Sequence, residues 1–307
     1  MKRFKRLSAL FLALVLAFSL SVPAFAASEN DTISSIKYVS EAFTIDSNTY
    51  TNGNTGESFT AYSCYLESAN ATNSVLANMP LTVTYSGGTL KNGTTTYTGG
   101  GTVTTYVNVI NRVAELTLTG TNGVTETYYI SAWKTGSTFY ASVSVEFENA
   151  YAFSQTAVNT KYKGANTTQN PYMQATTATQ KTTAQSAYDT TKAAFNGSTS
   201  ATYSGLSYGY TAADIITAIC NAKGVYISNS SGYISQIGDL NDGTAGKYVH
   251  PQWGGPYNSG GWMFKVLRGS DELYPSISAG SFRLLAGDVV TWQYTADVGY
   301  DLGVPMF

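Results

Sequence analysis

The sequence predicts a mostly β protein, with an antiparallel β-sandwich in its N-terminal half and a small α+β unit at its C-terminal end. Three observations predict it. About seven short segments between residues 33 and 153 alternate apolar and polar side chains, with Gly-, Asn- and Ser-rich breaks between them. Tyr and Thr are abundant while only 12% of residues are charged, a composition suited to pleated, half-exposed surfaces. One well-capped helical segment appears late in the chain, with further strand patterns after it.

The chain opens on an export pattern. Lys2, Arg3, Lys5 and Arg6 form a cationic head, residues 7–22 are apolar or small, and Ala24-Phe25-Ala26 is an A-x-A triplet. This predicts a signal peptide over residues 1–26, cut before Ala27. The apolar run of 16 residues is short of the roughly 20 that a spanning helix needs. A secreted or extracellular protein is expected, without stable membrane insertion after cleavage, and with any surface association made through partners. Four of the 17 basic residues and none of the 19 acidic ones lie in this leader, which leaves 13 against 19, a net charge of −6. That balance excludes nucleic acid and anionic membrane surfaces, since both call for a basic footprint.

Residues 27–155 read as the sandwich. Strands are expected at 36–39, 59–66, 81–85, 103–109, 114–119, 125–132 and 139–147. Leu81, Val83 and Tyr85 share one face, as do Ala141, Val143, Val145 and Phe147. Asn122-Gly123 is a hairpin signal, because a type I′ turn needs positive φ at both central residues. The run LTLTGTNGVTETYYISA is similar to the closing hairpin of bacterial cadherin-like or immunoglobulin-like repeats. Residues 156–205 read as a polar linker holding a marginal helix, the alternative being a helix that packs on one of the two domains. Cys64 and Cys220 are expected to be buried thiols, with one disulfide as the alternative.

The last unit spans 206–307. Thr211 is a helix N-cap with Asp214 three residues on, and Tyr210 and Ile215 are spaced for a hydrophobic staple. Ile215, Ile219 and Ala222 form the apolar stripe, and Gly224 ends the helix. Strands are expected at 225–227, 233–237, 262–266, 282–284 and 289–294.

Gly261-Trp262-Met263-Phe264, Pro275, Gly280, residues 284–292 with Gly287-Asp288 inside, Tyr294-Thr295-Ala296-Asp297 and Asp301-Leu302-Gly303 occur in that order. With the helix upstream, this set resembles the transcobalamin-like C-terminal domain, a small module of exported bacterial proteins and vitamin-B12 carriers. The resemblance covers about residues 206–303. It implies a β-grasp-like fold and a binding or display role outside the cell. The chain departs from the family in three places. The connection before Gly261 is long and aromatic, residues 266–272 replace the usual Val-Asn-Gly turn, and nothing upstream resembles the helical barrel that holds B12. A corrin ligand therefore does not follow.

The candidate site is the glycine-rich loop 243–261, where Tyr248, His250, Trp253, Tyr257 and Asn258 supply flat contact area and polar groups for a small molecule, a glycan or a surface protein. Trp262 and Trp292 are read as core residues, and Trp253 is divided evenly between core and site. His250 is the one histidine, with no triad or metal set near it in sequence. Asp239 and Asp242 read as a turn, because an EF-type loop needs an oxygen ligand where Gly243 stands. Glu146 and Glu148 read as the solvated end of a strand. No cofactor or metal is implied. The expected function is an exported, non-catalytic binding protein acting through its C-terminal unit. The alternatives are a structural or adhesion component of a surface assembly and a carbohydrate-active enzyme of the glycoside hydrolase type.

Overall fold

The computed structural model describes residues 31–53, 55–146, 200–206, 209–238, 240–241 and 261–295, with helical positions between 182 and 194. The N-terminal part runs through β1 (Ile33–Tyr38), β2 (Glu41–Ala42), β3 (Thr44–Asn52), β4 (Ser58–Ser68), the short helix α1 (Asn73–Leu76), β5 (Met79–Tyr85), β6 (Thr89–Asn92) and β7 (Thr95–Thr98). It continues through β8 (Gly101–Val107), β9 (Ala114–Thr119), β10 (Thr125–Lys134) and β11 (Phe139–Glu146). The C-terminal part holds β12 (Ser200–Leu206), helix α2 (Ala212–Lys223), β13 (Ile227–Ser230), β14 (Tyr233–Ile237), β15 (Leu240–Asn241), β16 (Gly261–Arg268), β17 (Asp271–Pro275) and β18 (Val289–Thr295).

The protein is mostly β. Its largest sheet has eleven strands in the order β12-β11-β18-β16-β17-β3-β4-β10-β9-β6-β7. A four-stranded sheet, β2-β1-β5-β8, packs on part of it, and β13-β14-β15 form a third. Two neighbouring pairs are parallel, where the alternation predicted antiparallel neighbours. β4 runs parallel to β10 from Thr127↔Ala61 to Lys134↔Ser68, and β11 runs parallel to β18 from Ser142↔Val289 to Glu146↔Gln293. β4 and β10 are covered on both faces, and parallel strands so covered read as nearly continuous apolar runs. Tyr128, Ile130 and Ala132 face one core while Tyr129 and Trp133 face the other.

The first core joins Ile36, Leu81 and Val83 of the small sheet to Cys64, Leu116 and Ile130 of the large one. The second lies on the opposite face and brings Tyr65, Tyr129, Trp133 and Val143 together with Ile215, Ile219, Phe282 and Trp292. It thus draws residues from both sides of 156–205, and the expected boundary between sandwich and C-terminal unit does not separate two cores. β11 is the cause. Its buried face of Phe139, Ala141, Val143 and Val145 alternates cleanly, but alternation does not say which sheet a strand joins. Here β11 is central to the order β12-β11-β18-β16-β17, with α2 on one face. β11, the first of these five strands in the chain, lies parallel beside β18, the last.

Within 156–205, residues 189–194 are helical and packed. Thr191 is fully buried in the space that a side chain at Gly238 would take, and Ala194 packs against the second core. α2 has the expected capping box: the Thr211 hydroxyl accepts from the Asp214 N–H, and the Asp214 carboxylate accepts from the Thr211 N–H at 2.9 Å. Its buried set is Ala212, Ala213, Ile215, Ile216, Ile219 and Cys220, so the stripe lies one step from the expected one and Ala222 is exposed. Residues 282–284 form no strand beyond a single bridge, Thr211↔Arg283.

The seam between the two parts is closed by Arg268, which is fully buried. Its guanidinium donates to both carboxylate oxygens of Asp288 at 2.9 and 2.7 Å, to the Ser63 hydroxyl at 2.7 Å and to the Arg283 carbonyl at 2.9 Å. It lies 4.8 Å from the centre of the Phe282 ring. Burial works against its charge, but the Asp288 carboxylate more than offsets this and holds the guanidinium firmly protonated. Around it the Tyr129 hydroxyl donates to Asp271 at 2.8 Å, and the Ala286 N–H reaches the Ser131 hydroxyl.

Candidate functional site

Tyr248, His250, Trp253, Tyr257 and Asn258 lie outside the described residues, as do Asp239, Asp242 and Glu148. Trp262 and Trp292 are described, and both are buried, at 7% and 1% exposure. They also border a cleft that the sequence did not single out.

The cleft is assembled on the second core. β16 and β18 pair antiparallel, with Trp262 opposite Tyr294 and Phe264 opposite Trp292. On that face the Phe264 and Trp292 rings lie 5.4 Å apart, tilted by 32°. The far wall is the turn after β17, residues 275–279, and α2 holds it in place. The first two N–H groups of the helix donate to carbonyls of this segment and of the residues that follow it, Ala213 to Ala279 at 3.2 Å and Ala212 to Phe282 at 3.0 Å. They are two of the donors a helix start leaves without an intrahelical partner, so the segment and the helix satisfy each other.

The third wall is β14. Its approach depends on two glycines, because a Cβ at Gly232 would collide with the Gly280 backbone. Gly232 also has φ 89°, and its N–H donates to the Asn229 side chain at 2.9 Å. β14 places Tyr233 at the mouth, 58% exposed. The result is a cavity of about 170 Å³ lined by Tyr233, Trp262, Met263, Phe264, Ile277 and Trp292 among others. That is close to the size, about 150 Å³, at which an apolar cavity accepts a benzene ring.

The walls are mainly aromatic and aliphatic, with Tyr233 and Ser278 as the lining residues that carry a hydroxyl. The indole Nε1–H of Trp292 is buried and has no hydrogen-bond partner among the described residues. Leaving a buried donor unmade costs about 1–3 kcal/mol, and native interiors rarely carry one without cause. Trp292 lines this slot, and its N–H, shielded from solvent, is one of several buried side-chain groups without a hydrogen-bond partner among the described residues.

The thiols offer no nucleophile. Cys64 and Cys220 are free and buried, and burial pushes Cys220 up to about 12 and Cys64 higher. No helix among the described residues is long and apolar enough to cross a membrane. In comparisons with known proteins, the chain matches no family model, no curated protein and no solved structure.

Proposed function

We propose that the chain is an exported, non-catalytic binding protein whose C-terminal cleft captures the planar, apolar part of a small soluble ligand. The observation that carries this reading is an aromatic slot of ring size whose lining includes Trp292, a residue with a buried, unpartnered indole N–H. The slot supplies shape and apolar area, and the Trp292 N–H, shielded in the free chain, turns to meet a carbonyl or ring-nitrogen acceptor on the ligand and so fixes its orientation. Tyr233 closes over the outer face of the bound ring. The transcobalamin-like resemblance adds an extracellular binding role for this part of the chain, without its corrin ligand.

Monocyclic and bicyclic aromatic carbonyl compounds, screened against the full chain by ligand-observed NMR, provide the test. At least one should bind. Trp292→Phe keeps most of the packing and removes the donor, so it should weaken that ligand about tenfold, the equivalent of one hydrogen bond. Tyr233→Ala removes an exposed side chain and should weaken binding while changing stability by less than about 0.5 kcal/mol. A screen without a single binder, or a ligand held equally well by both variants, would overturn the proposal.

A further inference from the structure

The segment 276–283 also walls a second concavity, of about 370 Å³, which opens against β3 instead of β14 and β16. β17 pairs with β3 only at Asn52, Thr51 and Tyr50, and leaves it after Pro275. The gap that opens is bounded by Asp46, Ser47 and Asn48 on β3 and by Ser281, Phe282 and Arg283 opposite.

The direction of the β3 main chain in this gap follows from its register. The Gly53 N–H bonds to the Glu272 carbonyl, and the Thr49 carbonyl accepts from the Ser276 N–H and, at 2.7 Å, from its hydroxyl. Odd-numbered residues of β3 therefore turn their N–H and C=O groups away from β4. Ile45 and Ser47 continue that series where β17 has departed, and among the described residues no strand pairs with them on that side.

The side chains add groups of opposite kind. The Asp46 carboxylate, an acceptor only, receives the Tyr65 hydroxyl at 2.8 Å. The Arg283 guanidinium, a donor only, lies over the Tyr65 ring at 4.5 Å, with its Nε 4.0 Å from Asp46. Both side chains keep a solvent face, at 45% for Asp46 and 30% for Arg283. Asn48, Ser47 and Ser281 carry groups that both donate and accept.

An anion drawn by Arg283 is repelled by Asp46, and a cation meets the reverse. A hydroxyl group donates and accepts at once, so neighbouring hydroxyls satisfy the carboxylate, the guanidinium and the open strand edge together. An added peptide strand fits poorly, because only Ile45 and Ser47 are free where strands usually run about 5–6 residues. The volume lies at the small end of ligand sites, about 300–1,000 Å³. We infer that this groove binds a neutral saccharide of one or two rings, with adjacent hydroxyls set between Asp46 and Arg283. The site is separate from the aromatic cleft and does not depend on it.

The chain from Ala27 onward is titrated with glucose, galactose, mannose, N-acetylglucosamine, maltose and cellobiose, followed by saturation-transfer NMR. At least one sugar should bind. Asp46→Asn keeps an acceptor for Tyr65 but loses the charge, and should weaken that sugar about tenfold at an unchanged melting temperature. Ser281→Trp, at an exposed position, should block the groove, while Tyr233→Ala should leave sugar binding intact. The inference is overturned if none of the six binds, or if a sugar binds equally to wild type, Asp46→Asn and Ser281→Trp. It is also overturned if Tyr233→Ala alone abolishes sugar binding, which would move the sugar to the aromatic cleft. Capture of a random-sequence peptide pool, blocked by Ser281→Trp and with no sugar bound, would assign the groove to strand addition instead.

Discussion

Arg268 determines more of the packing than any other charged side chain described. It makes four hydrogen bonds, two of them to Asp288, and no water reaches the pair. Replacing one member of a buried pair strands the other, so Arg268→Met should cost about 3–5 kcal/mol in urea denaturation. The double variant Arg268→Met/Asp288→Asn should recover part of that loss, because the neutral amide still offers an acceptor to the Leu285 N–H, now 2.8 Å from Asp288. A loss below about 1 kcal/mol for the single variant would contradict the role given to this seam. The signal for Arg268 was present in the sequence. Trp262, Phe264 and Val266 alternate on one face, and Arg268 is the next residue of that series. A charge on a buried face implies a partner, but Asp288 lies 20 residues on, and spacing in a strand protein does not pair them. The same limit hid the orphan donor of Trp292. The residue reads as core, and it is core, but its lack of an acceptor is a property of the surrounding fold.

Elements with one apolar face and a recognised turn were legible. β5, β9, β10 and α2 lie within a few residues of their expected places, and the β9–β10 hairpin turns at Asn122-Gly123. Only Gly123 has positive φ there, 82°, so the turn is not the expected type I′; the Gly123 N–H instead donates to the Gly120 carbonyl at 2.9 Å. β3 was not legible. Its sequence TIDSNTYTN has few apolar residues to alternate, and it is held by full pairing with β4 on one side and a short ladder with β17 on the other. β6 and β7 are similar, being Thr- and Lys-bearing strands at one end of the large sheet. β11 was found but misassigned, and this has a direct consequence. A fragment beginning at Leu206 lacks β11, and with it the central partner of β18. The fragment 206–307 should therefore show no cooperative thermal transition by circular dichroism, whereas 139–307 should fold with a reduced melting temperature, since Arg268 then lacks Ser63. A sharp transition in the shorter fragment would show that β18 and α2 need no β11.

At the scale of the molecule, one sheet carries two covers: a smaller sheet over part of one face, and α2 with the turn segments on the other. The composition and turn chemistry predicted the β-rich character. The joining of the halves was not legible, because strand pairing across some 200 residues leaves no local mark, as in Leu273↔Asn52. The same holds for the cleft, whose walls come from β14, β16, β18 and the turn after β17. The aromatic, glycine-rich segment 243–261 pointed to the C-terminal part, while the cleft among the described residues is built from β14, β16, β18 and the turn after β17. Its central claim, that the Trp292 N–H reads an acceptor on a bound ring, has a direct measurement. The indole proton of Trp292 in the ¹⁵N-labelled chain is identified by its absence from the Trp292→Phe spectrum. The chain is then saturated with the tightest aromatic carbonyl compound. The expected result is a downfield shift of that proton with slower solvent exchange, as the donor gains its first acceptor. An indole signal for Trp292 that stays where it was at full ligand occupancy would contradict the claim.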